Sequence, residues 1–291
     1  MRLFNYCFIL SSFICFSQND FEIHLIDINI NNNKIDVLGS KIISSKIGYN
    51  NQPSFINNNQ LLFSTERNGQ NDIVQYDINN GTDEFKFITS TDGSDYSPLY
   101  YKKNKITAVN LKDDGSQYLY IYDLKKNSFT IPFMDKIVGY YNYSRNMKNT
   151  IVSSILENNE LVLYSTDLKT KEHIFIDNNT GRSIHRIPNN KFGMDKLSYI
   201  SKKDSIWKIK SVNLANYKTK IITNTLENNE DICWLKDGSI ITSKADKLYK
   251  FNPKTDKSWV ELCSLAEYGI INISRIAINP NNDKLALVNS K

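Results

Sequence analysis

No apolar run in this 291-residue chain reaches the roughly 20 residues that a bilayer-spanning helix requires; the longest occupies residues 3–16, and nothing later approaches it. A helical membrane span is therefore not expected. Cysteine is scarce, at four, and Cys7 and Cys15 both fall inside that N-terminal run, which excludes a disulfide-stapled scaffold. Only three histidines occur, His24, His173 and His185, and no His-Glu-x-x-His, paired Cys-x-x-Cys or calcium-loop pattern accompanies them. No Gly-x-Ser-x-Gly run is present, so a serine hydrolase elbow is excluded. The 36 Lys and Arg are scattered, not clustered, which gives nucleic acid no footprint to bind.

What the chain has in abundance is asparagine, with 38 residues, together with 17 Tyr and 14 Phe. Aromatics favour strands and Asn favours turns, so this mixture points to many short strands joined by many turns.

Arg2 is the only charge before Asp20, and the apolar stretch behind it ends in Cys15-Phe16-Ser17. Small side chains thereby stand at the −3 and −1 positions of a cleavage after Ser17, and residues 1–17 read as a secretory signal peptide. A lipid anchor on Cys15 is the weaker alternative, because the large Ile14 precedes it. The expected organisation is a signal over residues 1–17 and one domain over 18–291. The expected address is outside the cytoplasm, in the periplasm first, with secretion or outer-membrane association as alternatives.

A repeat runs through the remainder. One marker is an apolar strand that ends in Asp or Asn and enters a polar turn, at Asp27, Asp77, Asp123, Asp167, Asn213 and Asn252, with spacings of 50, 46, 44, 46 and 39. An Asp or Asn opening a turn can accept a bond from the backbone two residues on, so these side chains are turn formers before they are catalytic groups. A second marker is a β-rich run beginning near Leu61, Ile106, Thr150, Leu197, Ser239 and Leu285, with intervals of 45, 44, 47, 42 and 46. Each unit reads as four strands, and six such units predict an all-β, six-bladed β-propeller.

The ends of the repeat are complementary. Residues 21–28 and 34–40 have the character of a third and fourth strand, and residues 274–279 and 284–289 that of a first and second. Residues 20–43 and 273–291 are therefore expected to share the sixth blade and close the ring. On this register Cys233 lies on the innermost strand of the fifth blade and Cys263 on its outermost. Three strand spacings, about 14 Å, then separate them, too far for a bridge.

The run Gln52-Pro53-Ser54-Phe55, Leu61-Leu62-Phe63-Ser64-Thr65, Arg67-Asn68-Gly69, Asp72-Ile73-Val74-Gln75-Tyr76-Asp77-Ile78 and Ile88-Thr89, followed by Thr91-Asp92-Gly93-Ser94-Asp95-Tyr96-Ser97-Pro98, resembles the WD-like repeat of TolB-type six-bladed propellers. The pattern continues in part at Trp234-Leu235-Lys236-Asp237-Gly238 and Ile276-Ala277-Ile278-Asn279-Pro280, and is degenerate in the third and fourth units. The resemblance implies the propeller, with no room for the N-terminal α/β domain of TolB, and does not imply an activity.

Asp92-Gly93-Ser94-Asp95 and Asp113-Asp114-Gly115 look like cation loops, but turn geometry accounts for both. The candidate binding residues are those nearest the rim of the central channel: Tyr96, Tyr140, Tyr141, His185, Asp231 and Arg275, with Arg67 on a neighbouring loop. Aromatic and Arg side chains are the usual anchors of binding sites. No catalytic residue, metal or cofactor is expected on the leading reading, a monomeric envelope protein whose propeller face binds a protein, peptide or glycan. The alternative is a metal-assisted hydrolase, lactonase or lyase with an ion near Asp231 and His185.

Overall fold

The computed structural model describes residues 20–31, 33–45, 47–80, 84–144, 146–188 and 195–291. Residues 1–17, read above as a signal peptide and including Cys7 and Cys15, lie outside the described residues.

The described chain enters on β1 (Phe21–Asn31) and β2 (Lys34–Ile42). Five blades of four strands follow. The first is β3 (Asn50–Phe55), β4 (Gln60–Arg67), β5 (Gln70–Asp77) and β6 (Phe85–Phe87). The second is β7 (Ser94–Lys102), β8 (Lys105–Leu111), β9 (Gln117–Asp123) and β10 (Ser128–Thr130). The third is β11 (Val138–Tyr143), β12 (Thr150–Glu157), β13 (Glu160–Asp167) and β14 (His173–Asp177). The fourth is β15 (Thr180–Arg186), β16 (Lys196–Ser201), β17 (Lys208–Asn213) and β18 (Thr219–Asn224). The fifth is β19 (Ile232–Trp234), β20 (Ile240–Lys244), β21 (Lys247–Phe251) and β22 (Val260–Ser264), and the chain ends on β23 (Ile273–Ile278) and β24 (Lys284–Ser290).

Every sheet is antiparallel and four-stranded, and the sixth has the order β2-β1-β24-β23. The N-terminal strand pairs with the C-terminal one from Phe21 opposite Ser290 to Asp27 opposite Lys284, so the predicted composite blade closes the ring. No helix among the described residues is long and apolar enough to cross a membrane.

Burial follows position in the blade. The second strands are almost wholly buried, as in Leu61, Leu62, Phe63, Ser64 and Thr65 of β4, because both of their faces meet another blade. This is why they read as continuous apolar or small runs in the sequence. The outermost strands are more open: β10 is exposed along its length, and β18 is exposed or half-buried throughout.

Alternation of side chains then distributes the core among the seams. Leu61 and Phe63 pack with Ile23, Leu25, Ala286 and Val288 of the sixth blade. Leu62, pointing the other way, packs with Ile106, Ala108 and Tyr120 of the second. Six such clusters occur, one in each seam between neighbouring blades.

The turn-forming role of the recurring Asp and Asn is visible in five units. Asp77, Asp123, Asp167, Asn213 and Asn252 each accept, through Oδ1, the backbone N–H two residues on, at 3.0, 3.2, 2.7, 3.1 and 3.0 Å. Asp27 departs from the expected pattern. Its strand continues to Asn31, with a bulge between Asp27 and Ile28, and its carboxylate pairs with Lys284 instead of opening a turn. Cys233 and Cys263 lie on β19 and β22, the two ends of one sheet, and are free thiols.

Gly93, in the Asp92-Gly93 turn, has φ 89°, and a Cβ there would lie 2.5 Å from the Leu111 carbonyl oxygen. Backbone conformation and close approach both demand glycine at this point.

Candidate functional site at the channel mouth

The innermost strands surround a cavity of about 1280 Å³ to which all six blades contribute. Gln52, Tyr96, Tyr140, Arg182 and Arg275 are the third residues of β3, β7, β11, β15 and β23, and Asp231 immediately precedes β19. Five of the six inner strands carry a register shift, between Asn51 and Ser54, Tyr96 and Leu99, Val138 and Tyr140, Thr180 and Ile184, and Ile273 and Arg275. Bulges of this kind re-aim side chains at the rim of a sheet.

Much of the inner wall is engaged in joining blades. The Ser97 N–H donates to Gln52 Oε1 at 2.7 Å, Asn142 Nδ2 donates to the Ile184 carbonyl at 2.8 Å, and Arg186 Nε donates to the Tyr143 carbonyl at 2.7 Å. Trp234 Nε1 reaches Ser198 Oγ in the next blade at 2.9 Å.

At the end where the inner strands begin, a charged cluster joins three blades. Arg182 donates to Asp231 Oδ2 through Nε at 2.9 Å and also through Nη2, while Nη2 bonds the Ser274 carbonyl at 3.0 Å. Arg275 Nη1 donates to Asp231 Oδ1 at 3.0 Å. Glu230 Oε2 accepts the Arg182 backbone N–H at 2.9 Å and faces Lys202 Nζ at 3.2 Å. Burial pushes the Asp231 carboxyl up to about 7, and the Arg182 guanidinium opposes the rise. Burial also raises the phenol of Tyr140, beside the same cluster.

Of the seven residues read from the sequence, Tyr140, Tyr141, His185, Asp231 and Arg275 line the cavity. Tyr141 does so as a wall: it is 5% exposed, and its hydroxyl lies 2.9 Å from both the Ser97 carbonyl and Thr107 Oγ1. Tyr96 sits beside the cavity, packed edge-on against Tyr49 at 5.6 Å, and its hydroxyl accepts a bond from Asn71 at 3.0 Å. Arg67 is away from the channel. It pairs with Asp72, bonds the Thr89 carbonyl and lies 4.1 Å over the ring of Phe87.

His185 lies further along the same strand as Arg182, and burial pulls its imidazole down to about 4. Its ring nitrogens have no hydrogen-bond partner among the described residues. His24 is buried on β1, and His173, on β14, bonds Thr166 Oγ1 and Asp135. The three histidines thus stand in three blades. Among the described residues no group of three or more His, Cys, Asp and Glu side chains could hold a metal ion, and both oxygens of Asp231 already face guanidiniums.

Arg182 is the residue that the sequence reading missed. It lies 42 residues after Tyr140, within the spread of the repeat, and that spacing is the signal that could have found it.

No protein-family model and no curated protein matches the chain. Solved structures do. A structure described as a TolB of Agrobacterium tumefaciens superimposes with TM-score 0.69 at 9% identity, over 94% of this chain and 99% of that one. TolB from Acinetobacter baumannii gives 0.59 at 11% identity over 92% of this chain, which spans 63% of that protein. A structure assigned as a gluconolactonase gives 0.61 at 11% identity, covering 91% of this chain and 94% of that one. At these identities the likeness is one of architecture, and the architecture this chain possesses is the six-bladed β-propeller found in TolB.

Proposed function

We propose that this chain is an exported, monomeric, non-catalytic protein of the cell envelope, with residues 1–17 directing export and residues 18–291 forming a propeller that binds a protein, peptide or glycan partner at the channel mouth. The observation that carries this reading is the pairing of Asp231 with both Arg182 and Arg275. A carboxylate whose two oxygens are engaged by fixed guanidiniums is poorly placed to act as a general base or a metal ligand. Held in this way, the arginines and Tyr140 form a preorganised recognition surface, of the residue types that anchor binding sites.

The test is a photo-crosslinking residue placed at Tyr140, compared with the same residue at Phe175 on an outermost strand. The protein is incubated with native envelope extract and then irradiated. A discrete adduct at position 140 that is absent at position 175 is the expected result. Adducts of equal yield at both positions, or none at 140, would overturn the assignment of the mouth as the binding face.

A further inference from the structure

We propose that the channel mouth contains a seat for a peptide carboxylate, built by the guanidiniums of Arg275 and Arg182 with the hydroxyl of Tyr140. The proposal rests on the binding reading above and names the group that the site recognises.

The argument is a census of donors and acceptors. A guanidinium carries five N–H groups and a phenol one O–H. Among the described residues Arg275 uses Nη1 alone, toward Asp231, although its side chain is only 15% exposed. Arg182 commits Nε and Nη2 and leaves Nη1 without an acceptor. The Tyr140 hydroxyl likewise has no partner among the described residues, and all three side chains line the same cavity.

The acceptors of this end are mostly engaged, Glu230 Oε1 standing 3.7 Å from Arg182 Nε. Asp231 receives both arginines, and Glu230 receives the Arg182 backbone N–H and faces Lys202. What remains is a lumen with spare donors and few spare acceptors.

The charges point the same way. Arg182, Arg275 and Lys202 outnumber Glu230 and Asp231, so the cluster keeps a net positive charge even with both carboxylates ionised. A lumen of that kind selects a ligand that brings acceptors and negative charge. A carboxylate satisfies both, since its two coplanar oxygens match the N–H fork of a guanidinium.

The apolar part of the lining favours a peptide over a sugar acid as the bearer. Beside the arginines, Tyr49 and Tyr96 are packed edge-on at 5.6 Å, and Tyr141 and Tyr143 at 5.8 Å. These four rings are turned on one another, and the cavity wall is lined by Pro53, Phe55, Pro98 and Leu99, apolar side chains that suit those of a peptide better than the hydroxyls of a sugar.

The test uses the full protein with arginine side chains labelled with nitrogen-15. The probes are N-acetyl-trialanine with a free C-terminal carboxylate, the same tripeptide as its C-terminal amide, and trigalacturonate. The free acid is expected to shift the Nε–H resonances of Arg275 and Arg182 saturably, and the amide is not. R275Q is expected to weaken binding of the acid by about tenfold, the size typical of one lost charge-assisted hydrogen bond in a desolvated site, with R275K intermediate. An amide as effective as the acid, or no shift with either peptide, would overturn the seat. A response to trigalacturonate without one to the peptide acid would overturn the peptide assignment.

Because the decisive comparison is made on the unaltered protein, misfolding of a variant cannot obscure it. A partner crosslinked at position 140 together with silent arginine resonances would sink the carboxylate seat alone. Responding resonances without a crosslinked partner would sink the macromolecular-partner reading alone.

Discussion

Arg182 on β15 and Asp231 ahead of β19 stand 49 residues apart in sequence and meet at 2.9 Å, Nε to Oδ2, across the seam between the fourth and fifth blades. Through Nη2 the same arginine also holds the Ser274 carbonyl of the sixth blade. One side chain therefore ties three blades together at the channel mouth, and its orientation depends on the carboxylate it meets.

D231A removes that carboxylate and leaves two largely buried guanidiniums facing one another. The expected loss of stability is about 3 kcal/mol, the low end for breaking a buried ion pair, read from the midpoint of urea unfolding. A midpoint equal to that of the unaltered protein would mean that the pair contributes nothing to holding the blades.

Ring closure depends on β23 and β24, which supply the inner half of the sixth blade and the partner strand of β1. Deleting residues 273–291 exposes the edge of β1 and removes Leu285 and Leu287 from the seam with the fifth blade. Thermal unfolding is expected to shift sharply downward and to broaden. An unchanged, cooperative melt would contradict closure through this blade.

Two glycines with similar backbone angles should respond differently to alanine. Gly93 (φ 89°) and Gly115 (φ 81°) both occupy the left-handed region, but a Cβ at Gly115 meets nothing within 4 Å whereas one at Gly93 runs into the Leu111 carbonyl. G115A is expected to cost about 1 kcal/mol for conformation alone. G93A adds the clash and should cost roughly 2 kcal/mol or more. Equal losses in parallel denaturation curves would show that the approach to Leu111 is relieved by backbone movement.

His185 gives the protein a specific dependence on pH. Burial lowers its imidazole from 6.5 to about 4, so between those values the unfolded chain binds more protons than the folded one. Its contribution to stability therefore falls as the pH is lowered through that window. H185Q removes the group, and its stability relative to the unaltered protein is expected to rise steadily from pH 6.5 down to about 4. The opposing contribution of Asp231, whose carboxyl is raised, is common to both proteins and cancels in the difference. A difference independent of pH across this range would show that the imidazole is not held neutral.

The propeller was legible in the sequence because its signals are local. An Asp or Asn that bonds the backbone two residues on marks a turn wherever it stands, which is why Asp77, Asp123, Asp167, Asn213 and Asn252 report the repeat directly. The second strands, buried on both faces, carry continuous apolar or small runs for the same reason in every blade. The half-blades at the two ends could be matched by strand type alone. Asp27 was misread because a strand that continues through a bulge presents the same local sequence as one that stops.

The channel mouth was legible only in part, because which side chains enter it is a matter of register. The inner strands shift register near their beginnings, and a shift of one residue turns a side chain to the opposite face. Arg275 and Asp231 could be placed near the rim from spacing, and the same spacing reaches Arg182, but no spacing shows that Arg182 and Arg275 share the Asp231 carboxylate, that Tyr141 is sealed into the wall, or that Arg67 turns away to Asp72. The first two follow from contacts between blades, such as that of Arg182 with Asp231 across 49 residues, and the third from a pairing within the first blade that only side-chain direction decides. The sequence by itself determined the number of strands, their grouping into six blades and the closure of the ring, through turns and alternation acting over a few residues. Only the tertiary structure decided which charges meet at the centre, because ring closure brings the beginnings of six distant strands around one axis.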